Sequence, residues 1–166
     1  MTRKHFDPDE QLAAPLYALA ALLIALPMID VVQTIGSFDP GNIRWRFASV
    51  GLLASALLTP LLGVALAMVV AAVRGHVVFQ RVLAILNLVA AIVLVLVLVA
   101  FLLDVLQLRS VVSEQRQRGF KSAAARAILK HTTAAAMFAF LSVRGMRISA
   151  WSARRATTPS VPLLSK

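Results

Sequence analysis

The stretch Val82–Val105 reads VLAILNLVAAIVLVLVLVAFLLDV, and its interpretation decides the fold. Between Arg81 and Asp104 it carries no charge, and Asn87 is its one polar side chain. About 20 consecutive apolar residues are what a helix needs to cross the roughly 30 Å hydrocarbon core of a bilayer. In lipid a helix satisfies every backbone N–H and C=O within the segment. The Val-Leu alternation would suit a strand in water, but the run is far too long for one buried strand. The stretch is therefore read as a transmembrane helix, and the rest of the chain is placed around it.

Composition agrees. Hydrophobic residues make up 60% of the 166, against roughly 45–50% in soluble domains. This length holds one small bundle and no second domain. The chain has no Cys, which excludes disulfides, thiol catalysis and thiolate metal sites. A net charge of +10 would suggest nucleic acid in a soluble protein. In a membrane chain, Arg and Lys sit instead at anionic headgroups and set topology. Richness in Ala, Leu, Val and Arg suits a bacterial protein.

Outward from the central stretch, four helices are expected, over about 13–35, 47–73, 77–108 and 122–145. Residues 1–12 form a polar lead whose Asp7, Asp9 and Glu10 do not fit a signal peptide. Pro27 should kink the first helix and Pro60 the second. Residues 36–42 (GSFDPGN) and Arg74-Gly75-His76 read as turns. Residues 107–117 look like a solvated continuation of the third helix, broken at Gly119. Residues 149–166 read as a basic interfacial and disordered tail. Arg44, Trp45 and Arg46, and later Trp151 with Arg154 and Arg155, have the composition of interfacial anchors.

In the second helix Gly51, Ser55, Thr59, Gly63, Ala67 and Ala71 recur every four residues. Small side chains at such spacing let a second helix backbone approach, so they form the expected helix-packing seam. The last helix is the weak one. From Lys130 to Arg144 it rises only about 21 Å, so its ends must snorkel, or it lies on the surface as a basic amphipathic helix.

Short internal matches suggest duplication. Ile29-Asp30-Val31-Val32-Gln33 compares with Leu103-Asp104-Val105-Leu106-Gln107, and Val73-Arg74-Gly75 with Val143-Arg144-Gly145. The expected fold is thus an all-α integral membrane four-helix bundle, built as two parallel helical-hairpin repeats. The alternative is three transmembrane helices plus a basic surface helix. Four crossings put nine Lys and Arg on the side of the termini and eight on the other, whereas three crossings give four against 13. The repeat favours four crossings in the inner (cytoplasmic) membrane, both termini cytoplasmic.

Asp30, Gln33, Asn87, Asp104, Gln107 and Lys130 are the candidate intramembrane polar or ion-pair residues. Asp30 is expected to pair with Arg44 or Arg46, and Asp104 with Lys130, more readily than either acid binds ions. Asn87 reads as hydrogen-bonding glue between helices. His76 and His131 fall toward opposite membrane faces, so they share no haem. The sequence offers no phosphate loop, metal-ligand cluster or activated nucleophile, and neither an enzyme nor a cofactor is expected. The function expected is that of a structural or accessory subunit packing against a larger membrane complex or itself, in a bilayer with anionic headgroups and without nucleic acid. The alternative is a small oligomeric ion or solute transporter or channel using Asp30 and Asp104.

Overall fold

A computed structural model describes residues 8–36, 38–110 and 112–157. Five helices account for nearly all of them: α1 (Pro8–Ile35), α2 (Ile43–Ala56), α3 (Leu58–Val73), α4 (Val77–Arg109) and α5 (Glu114–Thr157). Residues 1–7 of the polar lead, Ser37, and residues 158–166 of the tail lie outside the described residues, as do the side chains of Arg154 and Arg155.

The turns form where glycine permits them. Gly36 ends α1 at φ +66° and Gly75 ends α3 at φ +68°, a conformation that costs other residues their Cβ clearance. Asn42 then starts α2: its Oδ1 accepts from the Arg44 N–H at 3.0 Å and the Trp45 N–H at 3.4 Å, satisfying groups that a helix start leaves without partners. The Trp45 indole N–H donates back to the Ile35 carbonyl at 3.4 Å, tying the start of α2 to the end of α1.

Two helices, α1 over Leu12–Ile35 and α4, are long and apolar enough to cross a membrane, and α2 with α3 makes a third candidate if the bent pair is one span. The expected single helix over 47–73 is in fact this pair, bent by 42° between Ala56 and Leu58. The cause is Pro60. It has no N–H for the Ala56 carbonyl and its ring crowds that turn, so the break falls one turn before the proline. No equivalent break occurs at Pro27, where α1 continues as one helix. The expected break at Gly119 is also absent. The helix ends earlier, with α4 at Arg109, and Gly119 lies inside α5, which begins at Glu114. Nor does the tail begin at 149, since α5 continues to Thr157.

The most extensive contact is between α4 and α5, followed by α1 with α3. Along α4 the buried positions are Gln80, Ala84, Asn87, Ala91, Leu94, Phe101 and Asp104. Along α5 they are Ala124, Ala127, His131, Ala134, Ala135, Phe138, Ser142, Gly145 and Ser149. Apart from the step of seven between Leu94 and Phe101 and the adjacent pair Ala134 and Ala135, both sets advance by three or four, the spacing of an antiparallel coiled-coil seam. A Cβ on Gly145 would sit 2.9 Å from the Ala84 Cβ, which fixes the register of this pair. The outward faces of α1 and α4 are apolar, with Leu22, Leu26, Val89, Ile92 and Leu96 about half exposed or more.

Candidate functional site

The side chains that lock the helices together meet where α2 begins, α4 ends and α5 begins. The Asn42 cap sets the phase of α2, so that Arg46 and Phe47 turn inward one helical turn later. Arg46 then grips Asp104 with both arms: Nε donates to Oδ2 at 2.9 Å and Nη2 to Oδ1 at 2.7 Å. Its Nη1 donates to the Pro40 carbonyl at 2.8 Å. The Asp104 side chain is 8% exposed and that of Arg46 35%, so the carboxylate is buried while the guanidinium keeps one edge outside. A buried carboxylate is costly unless paired, and the planar fork matches both oxygens at once. Next to the pair, Phe47 stacks between Phe101 and Phe120, with ring centroids 5.2 and 5.1 Å away. One turn of α2 thus pins both helices of the α4–α5 hairpin.

Six polar or charged side chains are buried among the described residues: Gln80, Asn87, Asp104, His131, Ser142 and Ser149. All belong to α4 or α5. Counted from the Ala84–Gly145 contact, the antiparallel register sets Ser149 level with Gln80, Ser142 with Asn87, and His131 with Leu98. Asn87 donates to the Met68 sulfur of α3 at 3.1 Å. Ser149 turns back to the Met146 carbonyl at 2.9 Å. His131 Nδ1 lies 3.1 Å from the Ala127 carbonyl, which makes Nδ1 the protonated nitrogen and leaves Nε2 as an acceptor. Neither that Nε2 nor the Ser142 hydroxyl has a partner among the described residues.

The anticipated residues fall unevenly around this core. Asp30, Gln33, Gln107 and Lys130 are all exposed. Among the described residues Asp30 has no ion pair with Arg44 or Arg46, and Arg46 pairs with Asp104 instead. Lys130 does not serve Asp104 either. It lines a cleft of about 300 Å³ with Ser55, Thr133 and the Leu57–Leu58 break. The second internal match also separates in space: Gly75 closes a turn, whereas Gly145 is inside α5 against Ala84 and Met68.

In the row of small residues, Gly63, Ala67 and Ala71 are buried, while Ser55 and Thr59 are exposed and Gly51 is half-buried. A Cβ on Gly63 would lie 2.7 Å from the Ala20 carbonyl oxygen, whereas one on Gly51 would meet nothing within 4 Å. The reason is rotational. Four residues advance a helix by about 400°, so each step drifts roughly 40° and six members cannot share one face. The bend at Leu57 then re-aims the lower half toward α1.

Among the anchors, Trp45 is half-buried against Phe38 at 5.2 Å, Arg44 is exposed and Trp151 is exposed. Among the described residues, no three His, Asp or Glu side chains gather as a metal site would need. Sequence reading missed the Arg46–Asp104 pair, the stack around Phe47, and the polar seam of α5. For the last, a signal was there: Ala, His, Ser and Gly at three- and four-residue steps.

Comparison of the chain with protein-family models, with curated proteins and with solved structures finds no match.

Proposed function

We propose that the chain is a small multi-pass integral membrane protein of a bacterial inner membrane, acting as a structural or accessory subunit. It packs against a larger membrane complex or against further copies of itself. The bundle crosses four times, with both termini cytoplasmic. The observation that carries the crossing number is the α4–α5 seam. A helix packed antiparallel to α4 from Ala124 to Ser149 shares the path of α4 through the bilayer and does not lie flat on its surface. Lys130 and Arg144 are exposed at the ends of the short apolar part of α5, where their flexible stems reach toward headgroups.

The structural role rests on how the polar groups are used. Asp104 is occupied by Arg46 and Asn87 by Met68. Asp30, Gln33 and Gln107 sit on the outside. This arrangement supports helix locking. Neither a catalytic role nor a cofactor is part of the proposal, and the partners are membrane subunits, not nucleic acid.

The test is extraction from native membranes, washed with carbonate, into mild detergent, followed by mass determination. The proposal expects the chain to resist the wash and to run with other subunits or as a multiple of its own 17.9 kDa. A monomer that restores ion flux in proteoliposomes, with flux abolished by Asp104→Asn, would replace this reading with the transporter.

A further inference from the structure

A cleft of about 310 Å³ opens beside the locked corner, lined by Arg44, Phe47, Leu108, Arg116 and Phe120 together with Val112 and Ser113. Its two arginines come from different elements, α2 and the first turn of α5. Neither guanidinium has a hydrogen-bond or ion-pair partner among the described residues. The nearby acid, Asp104, is already occupied by Arg46, and Glu114 does not line the cleft. The wall is rigid, since Phe47 and Phe120 belong to the three-ring stack. Two uncompensated guanidiniums over an apolar floor are complementary to a ligand with an anionic head and a hydrocarbon body.

We infer that this cleft binds the headgroup of one anionic phospholipid, its phosphodiester between Arg44 and Arg116 and its glycerol and first acyl carbons against Phe47, Leu108 and Phe120. The chemistry fits the parts. A guanidinium offers two parallel N–H donors to phosphate oxygens. The depth fits as well: the cleft lies between the last turn of α4 and the first turn of α2, whose run Arg44-Trp45-Arg46 has the composition of a membrane–water interface. A free inorganic anion would use the arginines and leave the apolar floor uncovered. A zwitterionic lipid would bring its own cation to two arginines. The inference rests on the bilayer reading of the fold but not on the accessory role.

The test uses the full chain, delipidated in neutral detergent and titrated with phosphatidylglycerol or phosphatidylcholine while bound lipid is counted by native mass spectrometry. One phosphatidylglycerol should bind in preference to phosphatidylcholine. Arg44→Gln with Arg116→Gln should weaken that binding about 25-fold, roughly fivefold for each arginine. Arg81→Gln with Arg147→Gln removes equal charge from exposed positions at the other end of the α4–α5 hairpin and should leave it unchanged. Each single variant at Arg44 or Arg116 provides the same reading should the double variant not fold, judged by circular dichroism and a monodisperse elution profile. Equal binding of the two lipids, an equal loss in the Arg81/Arg147 control, or wild-type affinity in the Arg44/Arg116 variants would overturn the site. Displacement of the lipid by excess inorganic phosphate would overturn the lipid as its ligand. Failure of the bilayer reading is distinct, because the chain would then leave the membrane in a carbonate wash.

Discussion

Replacing Gly63 and Gly51 separately by alanine isolates the close approach of α1 and α3. Both glycines lie inside helices, so both variants gain the same helix preference, about 1 kcal/mol. The difference between them is then the steric cost alone. At Gly51 the new methyl meets nothing within 4 Å. At Gly63 it would sit 2.7 Å from the Ala20 carbonyl oxygen, 2.9 Å from Ile24 Cγ1 and 3.0 Å from the Leu23 Cβ. The first neighbour is backbone and the third is attached to it, so α1 must move away as a unit. Over-packing of this kind costs about 1–3 kcal/mol. With backbone as the obstacle, Gly63→Ala should fall near 2 kcal/mol below Gly51→Ala, roughly 30-fold in the folding equilibrium. Equilibrium unfolding in mixed micelles, followed by circular dichroism, measures the difference. A Gly63→Ala protein as stable as Gly51→Ala would refute the packing of α1 on α3.

Other outcomes follow from the same contacts. Asp104→Leu should lower thermal stability in detergent more than Asp104→Asn, since the amide still accepts from Arg46, and Asp30→Asn should leave it unchanged because the Asp30 carboxylate is exposed and has no partner among the described residues. Phe47→Ala removes the middle ring of the stack and should cost about 3 kcal/mol, whereas Phe38→Ala, on an outer ring 79% exposed, should cost under about 1 kcal/mol; chemical unfolding of the two variants checks the ratio. Gly63→Leu should prevent assembly of the bundle on gel filtration, and Leu96→Ile, on the outward face of α4, should not.

The parts of the fold that were legible in the sequence are those set by local chemistry. The charge-free run, with the turn before it and the polar residues after it, put the third helix at about 77–108, within a residue of α4 at each end. Glycines with no Cβ marked the turns at 36 and 75. Pro60 announced a break, although its effect appears a turn earlier, at the carbonyl it cannot serve. What stayed hidden depends on helix rotation and pairing in space. Arg46 can face Asp104 or Asp30 only according to the phase that the Asn42 cap and the Leu57 bend impose. The row from Gly51 to Ala71 looked continuous because sequence spacing does not show the accumulating drift around a helix. The length of α5 was missed because its seam is made of Ala, Ser, Gly and His, which hydrophobicity does not mark. The candidate site was half legible: Asp104 and Asn87 stood out inside an apolar run, but their partners, Arg46 and Met68, did not.

The central claim is that α5 crosses the membrane alongside α4. Reporter fusions that are active only in the cytoplasm, or only outside it, test it most directly when attached at residue 1 and after Ser165. With four crossings, both ends report the cytoplasm. Reporters on opposite sides would contradict the account, leaving three crossings with α5 on the surface and a different explanation required for its packing along α4.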